Sequence, residues 1–375
     1  MTYDVAVVGG GIMGLSAAYA LLRHGVRRVV VLERYRVAHD RAASTDTTKA
    51  IRYEYADAEI YSRMVGRSIE MWRDLEAATG AELYNNCGVV CWGRPDEQHV
   101  RQSYQTLSKM GLPIREVGPD ELVRLYPQFA RADITYATVN PEGGFLRAST
   151  CVRATEEMVL RLGGEIRDAA HVVGLDAHGD GVTVSLHNGD RVDANKVVLA
   201  TGAWGAKLLP QLGLTLPLTA NKQQVVYISG LGNEFAPGPF PVFLNLNHDF
   251  YGFPLDGAGL LKASIHYPGP VIDPDVVQTP SETFIDELVS YLEKYIPDTM
   301  GGDISFSRMC MYAMTPDEDF ILDYLPGSRD VVVAAGFSGH GFKFGPVIGG
   351  LLAALALGEE PEFDMQRFAI SRFSL

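Results

Sequence analysis

The chain opens on short, wholly apolar runs separated by a stretch of helical periodicity. Val5-Ala-Val-Val8 is apolar at every position, the mark of a strand buried on both faces. Apolar residues then recur at helical spacing over residues 12–24, and a second apolar run, 28–32, closes at Glu33. Strand, helix and strand in that order predict a βαβ unit. A helix is expected over 60–79, stopped by Gly80. Beyond Ala81 the pattern changes to short strands and turns, with a polar helix over 96–110. Asn188-Gly189, between the apolar alternation of 182–186 and that of 191–193, is a hairpin signal. A separate buried strand is expected over 196–201, strands of a mixed sheet over 222–266, and a last parallel strand over 330–335. A helix should follow near Pro346. Its apolar run, 347–357, is too short to cross a bilayer and reads as a core helix.

A length of 375 residues exceeds one average domain. No repeat, low-complexity tract or Pro/Ser-rich linker divides it, so two interleaved units are expected. An apolar content of 47% with 21% charged residues is that of a globular enzyme. The net charge of -14 excludes nucleic acid, which it would repel, and makes any buried cation conspicuous. The N-terminus lacks the basic flank and apolar core of a signal peptide. The final Phe373-Ser374-Leu375 departs from the Ser-Lys-Leu peroxisomal address. A cytoplasmic protein with no membrane partner is therefore expected. Cys87, Cys91, Cys151 and Cys310 form no CxxC pair, so neither a zinc site nor a disulfide scaffold is expected, and no metal is assigned.

Candidate chemistry begins at Gly9-Gly10-Gly11-Ile12-Met13-Gly14. Gly9 permits a tight turn, Gly11 lets backbone approach a pyrophosphate, and Gly14 lets helix and strand pack closely. The helix N-terminus supplies amide donors for phosphates. Glu33, about 19 residues past Gly14, stands where a ribose-binding acid belongs. This pattern indicates a dinucleotide but serves NAD and FAD alike. Near the C-terminus, Ala334-Ala-Gly-Phe-Ser-Gly-His-Gly-Phe-Lys-Phe-Gly-Pro346 leads glycine-rich backbone into a helix start. That start favours nearby negative charge, although ordinary glycine turns read equally well there. In Leu260-Leu-Lys-Ala-Ser-Ile-His266, Lys262, Ser264 and His266 share one strand face. By itself, Lys262 reads as a solvated edge lysine. Cys310 shares a face with Tyr312 and, between two methionines, reads locally as a core residue.

Taken together these strings resemble the monomeric sarcosine oxidase family of FAD-dependent amine oxidases, within the D-amino-acid-oxidase-like group. The similarity runs nearly end to end. Its most specific pieces are Met309-Cys-Met-Tyr312, Asp317-Glu-Asp-Phe-Ile-Leu-Asp323 and the C-terminal glycine-rich segment, joined by Ile51-Arg52, Thr201-Gly-Ala-Trp204 and Tyr251-Gly-Phe-Pro254. The resemblance implies an α/β fold in which an FAD-binding Rossmann-like domain (1–80, 148–215 and 320–375) is interleaved with a mixed-sheet substrate domain (81–147 and 216–319). It implies cofactor contacts from Gly9, Gly11, Ile12, Met13, Gly14, Glu33, Arg34, Ser44, Lys49, Thr201, Gly202, Trp204, Met311, Gly336, Gly339, His340, Gly341 and Lys343. It also implies a thioether from Cys310 to the flavin. Arg52 and Lys343 match the cations that hold the substrate carboxylate. Lys262 matches the lysine that activates oxygen. Tyr251, His266, Tyr312 and His340 match residues that line the site.

Two positions depart from sarcosine oxidases. Lys49 replaces an arginine, as in pipecolate and fructosyl amino acid oxidases, and Leu244 replaces a methionine. The expected activity is oxidation of a secondary amine, an N-substituted or cyclic amino acid, by a monomer that uses oxygen and releases peroxide. An amine dehydrogenase with another electron acceptor, and a flavin-binding scaffold without activity, remain the alternatives.

Overall fold

The computed structural model describes residues 2–93, 98–179, 181–246 and 249–373. Among them the chain forms two eight-stranded sheets and one three-stranded sheet, flanked by helices in a mixed α/β arrangement. In the first sheet Thr2–Val8 pairs in parallel with Val29–Leu32 on one side and Arg191–Leu199 on the other. Val331–Ala335 extends the parallel core beyond Arg191–Leu199. Alternate residues of the first strand serve opposite faces, as strand geometry requires. Val5 and Val7 pack with Leu15, Ile348 and Leu351, whereas Ala6 and Val8 pack with Val30, Val197 and Leu199. The apolar run near the C-terminus is the buried helix Gly345–Leu357, which has Pro346 in its first turn and left-handed Gly358 as its stop.

One expected strand is corrected. Residues 196–201 do not form a strand of their own; they extend the hairpin strand, so that Arg191–Leu199 is continuous. Its first half alternates exposed and buried residues against Gly181–Leu186, and its second half is buried between two parallel neighbours. That change of environment makes one strand read as two. The polar helix spans Gln98–Lys109, and its expected start at Asp96 lies outside the described residues, as do Ser374 and Leu375.

The second sheet runs, in spatial order, Asp303–Met314, Thr219–Ser229, Leu261–Ile265, Phe250–Phe253, Val242–Asn245, Val89–Gly93, Tyr136–Asn140 and Arg115–Val117. The short strand Thr48–Ile51 belongs to the small third sheet, paired with Gly144–Arg147. The chain therefore passes between the sheets several times.

Candidate active site

At the end of the first strand the chain turns through Gly9, whose φ is 111°, in the left-handed region. A β-carbon at Gly9 would lie 2.3 Å from the Ala200 carbonyl oxygen, and one at Gly14 would lie 1.9 Å from the Gly9 carbonyl oxygen. Only glycine lets the helix Ile12–Arg23 begin this close to the sheet. Glu33 ends the second strand, its Oε2 accepting the Gly10 N–H at 2.7 Å and its Oε1 the Tyr35 N–H at 2.8 Å. Burial raises its pKa.

A groove of about 320 Å³ runs across these strand ends. Of the expected cofactor contacts, Gly9, Gly11, Ile12, Met13, Glu33, Arg34, Ser44, Lys49, Thr201, Gly202, Trp204, Met311, Gly339 and Gly341 line it. Gly14 and Gly336 lie outside its lining, Gly14 packed against the Gly9 carbonyl and Gly336, in the left-handed region, against the Thr315 side chain. The hydroxyls of Thr45 and Thr48, in the segment that also brings Ser44 and Lys49 to the groove, are buried without a hydrogen-bond partner among the described residues. The glycine cradle, which a β-carbon would fill, and the buried Glu33 beside it fit a bound dinucleotide. At the mouth, Asp275 accepts Trp204 Nε1–H at 2.9 Å, pairs with Arg34 at 2.8 Å and takes Lys207 Nζ at 2.5 Å.

A smaller cavity of about 80 Å³ adjoins the groove. It is lined by Arg52, Leu244, Tyr251, Lys262, His266, His340 and Lys343, and it shares Lys49, Tyr312, Gly339 and Phe342 with the groove. Those four residues form the junction where a ring held in the groove would meet a molecule in the cavity. Arg52 is buried, donates to the Glu54 carbonyl and lies 4.7 Å from the centre of the Tyr55 ring. Lys343 Nζ donates to the Tyr55 hydroxyl at 2.9 Å and to the His340 carbonyl at 2.7 Å. Burial, then the Arg52 charge, push Lys343 well below the usual lysine range. Both side chains are thus held in place by neutral hydrogen-bond partners, and an anion in the cavity would be paired by Arg52 and would favour the charged form of Lys343. His266 Nδ1 lies 3.3 Å from the Tyr312 hydroxyl. Burial, Arg52 and Lys343 push this histidine down to about 4, so its ring is neutral near pH 7.

Lys262 is not the solvated edge lysine its local pattern indicates. Its strand is interior, hydrogen-bonded on both sides, and the side chain is 2% exposed. Lys262 Nζ donates to Asp46 Oδ2 at 2.6 Å and to the Thr48 carbonyl at 2.7 Å. Burial pushes it down to about 8. Lys49 Nζ lies 3.3 Å from the same Asp46 oxygen. Cys310 also departs from its local reading. It is the one cysteine of the four that is not buried, and it lines neither cavity. It stands beside Met311 and Tyr312, which do, and close enough to Lys49 and Lys262 to bear on both charges. Three site residues escape the sequence patterns: Asp46, Lys207 and Asp275. No short-range signal marks them, since Asp46 meets Lys262 across a separation of 216 residues and Lys207 meets Asp275 across 68.

Residues 4–355 match the DAO family model, described as FAD dependent oxidoreductase. The monomeric sarcosine oxidase of Bacillus sp. (strain B-0618) is 32% identical, over 100% of this chain and 97% of that protein. The peroxisomal sarcosine oxidase of Homo sapiens is also 32% identical, over 99% of this chain and 96% of that protein. Among solved structures, the L-proline dehydrogenase from P. horikoshii shares the fold with a TM-score of 0.88 at 24% identity, over 99% of this chain and 98% of that one.

Proposed function

The chain belongs to the DAO family of FAD-dependent oxidoreductases, and from that premise we propose that it is an FAD-dependent oxidase of a secondary amine, an N-substituted or cyclic amino acid. The observation that carries this reading is the pair of buried cations, Arg52 and Lys343, in a small cavity that opens onto the dinucleotide groove. When bound, FAD accepts the hydride of the carbon beside the amine nitrogen and passes two electrons to dioxygen, giving hydrogen peroxide. The residues supply binding, orientation and charge. Glu33 and the glycine turn hold the nucleotide end. Lys49, Tyr312 and Gly339, at the junction of the two cavities, would border the redox ring. Arg52 and Lys343 grip the carboxylate, which fixes the reacting carbon at the junction. Tyr251, His266 and His340 wall the cavity. The surrounding positive charge disfavours an ammonium, so the amine binds neutral and no strong protein base is needed. Water hydrolyses the imine after release.

The decisive experiment is a screen of secondary amines on purified protein with peroxide detection. Peroxide from an N-substituted or cyclic amino acid is the expected result. If no amine bleaches the protein anaerobically, the reading fails. If amines bleach it but air restores the colour only slowly, the acceptor is another carrier and the enzyme is a dehydrogenase.

We further propose that the flavin is covalently held by Cys310. Burial pushes the Cys87 thiol up to about 12 and the Cys91 and Cys151 thiols well above their usual value, which makes all three inert, whereas Cys310 is partly exposed next to two lysines. Acid precipitation should leave the pellet yellow, and Cys310→Ala should release the colour to the supernatant. A colourless wild-type pellet would refute the linkage. The four thiols are free, which suits a reducing compartment, and we propose a cytoplasmic monomer. Gel filtration coupled to light scattering checks the monomer.

A further inference from the structure

Resting on that reading for the oxygen step, we propose that Asp46 is a positioning residue, a single buried carboxylate shared by Lys262 and Lys49 that fixes Lys262 and supplies its counter-charge where dioxygen is reduced. Asp46 is 3% exposed and every polar direction of its carboxylate is used. Oδ2 faces Lys262 Nζ at 2.6 Å and Lys49 Nζ at 3.3 Å, while Oδ1 accepts the Tyr227 hydroxyl and the Thr47 N–H. The arrangement follows from strand register. Tyr227 and Phe253 are the direct cross-strand partners of Lys262 on its two neighbouring strands. Their side chains therefore emerge beside the lysine. Tyr227 reaches the same carboxylate as the lysine, and the Phe253 ring lies 4.9 Å from the ammonium. A lysine enclosed this way cannot reach bulk water, and a buried ammonium without a partner loses its proton rather than persist.

The count of charges matters as much as the contact. One lysine paired with one aspartate would present no net charge to an incoming anion. Two lysines sharing one aspartate leave a surplus of one positive charge. Lys262 spends one N–H on Asp46 and one on the Thr48 carbonyl, which leaves the third for the cavity that it lines. Dioxygen takes two electrons and one proton from the reduced cofactor and a second proton from water, and leaves as hydrogen peroxide. The first electron makes it an anion, and at that moment the surplus charge lowers its energy. The charged or titratable groups that bear on Lys262 are Asp46 and Lys49, Tyr227 through Asp46, and Cys310 from the strand Asp303–Met314.

The test compares Asp46→Asn with wild type after reduction by dithionite, which bypasses the amine, followed by mixing with oxygenated buffer. Reoxidation of the variant should be at least fivefold slower at pH 7 and should speed up as the pH falls from 8 to 6. Lysine labelled with ¹³C at Cε gives a readout independent of turnover: the Lys262 resonance should titrate at lower pH in the variant. Should Asp46→Asn fail to fold, Lys49→Gln serves instead. It leaves the carboxylate wholly to Lys262, whose titration should move to higher pH, and it removes the surplus charge, so reoxidation at pH 7 should slow. Reoxidation of Asp46→Asn within twofold of wild type at pH 7, or an unmoved Lys262 titration in either variant, overturns the proposal. Because dithionite replaces the amine, that outcome is distinct from a failed amine screen.

Discussion

The Lys262→Met enzyme is expected to bleach with substrate in the absence of air but to regain its colour in air up to roughly a thousandfold more slowly than wild type. A fixed cation about 4 Å from a developing oxygen anion stabilises it by about 4 kcal/mol at an effective dielectric near 20. That energy is roughly a thousandfold in rate. Methionine keeps much of the lysine's length and removes the charge. The fold should tolerate the change, because Asp46 keeps Lys49 at 3.3 Å and the Tyr227 hydroxyl as partners. The pH dependence follows from the same residue. Burial pushes Lys262 down to about 8, and the charged form exists below that value. Wild-type reoxidation should therefore slow as pH rises through about 8, and the variant should lack that limb. Stopped-flow traces of the two half-reactions check both statements. If Lys262→Met reoxidises at the wild-type rate, the lysine is a buried structural cation and oxygen is activated elsewhere.

The contrast between Gly9 and Lys262 shows what a sequence can carry. The glycine turn, its helix and Glu33 lie within 33 residues, and each obeys a local rule: a left-handed turn, helical spacing, an acid at a strand end. They were legible because nothing distant decides them. Lys262 is different. A lysine in a five-residue strand is solvated at an edge and buried in the interior, and the outcome is set by two strands elsewhere, Thr219–Ser229 and Phe250–Phe253. Only the resemblance to flavoprotein amine oxidases pointed inward. Asp46 was illegible by either route, because an acid three residues before a lysine is ordinary until a second lysine arrives from the far sheet. Cys310 misled for a related reason: neighbouring methionines made it read as core, yet it sits partly exposed beside Lys49. The continuous strand Arg191–Leu199 read as two because its surroundings change midway, while its backbone runs on unbroken.

Removing the Arg52 guanidinium should weaken apparent binding of the amino-acid substrate by roughly 30-fold or more, with little change for the same amine lacking its carboxylate. Truncating one partner of a buried, hydrogen-bonded charge pair costs about 2–5 kcal/mol. Each 1.4 kcal/mol is about tenfold in affinity. Arg52 is poised for this role because it is buried at the cavity wall, braced by the Glu54 carbonyl and by the Tyr55 ring at 4.7 Å. Lys343 stands on the same Tyr55, through its hydroxyl at 2.9 Å, so one tyrosine aligns both arms of the clamp. Arg52→Lys should restore only part of the loss, since an ammonium offers neither the planar fork nor the stacking of a guanidinium. In wild type kcat/KM should strongly favour the amino acid over its decarboxylated analogue, and in Arg52→Ala that preference should shrink by the same factor as the loss of binding. The comparison also separates recognition from damage, because a distorted cavity would slow both substrates alike. Equal rates of wild type on the two compounds, or a preference that survives in Arg52→Ala, would show that the carboxylate is held by other groups.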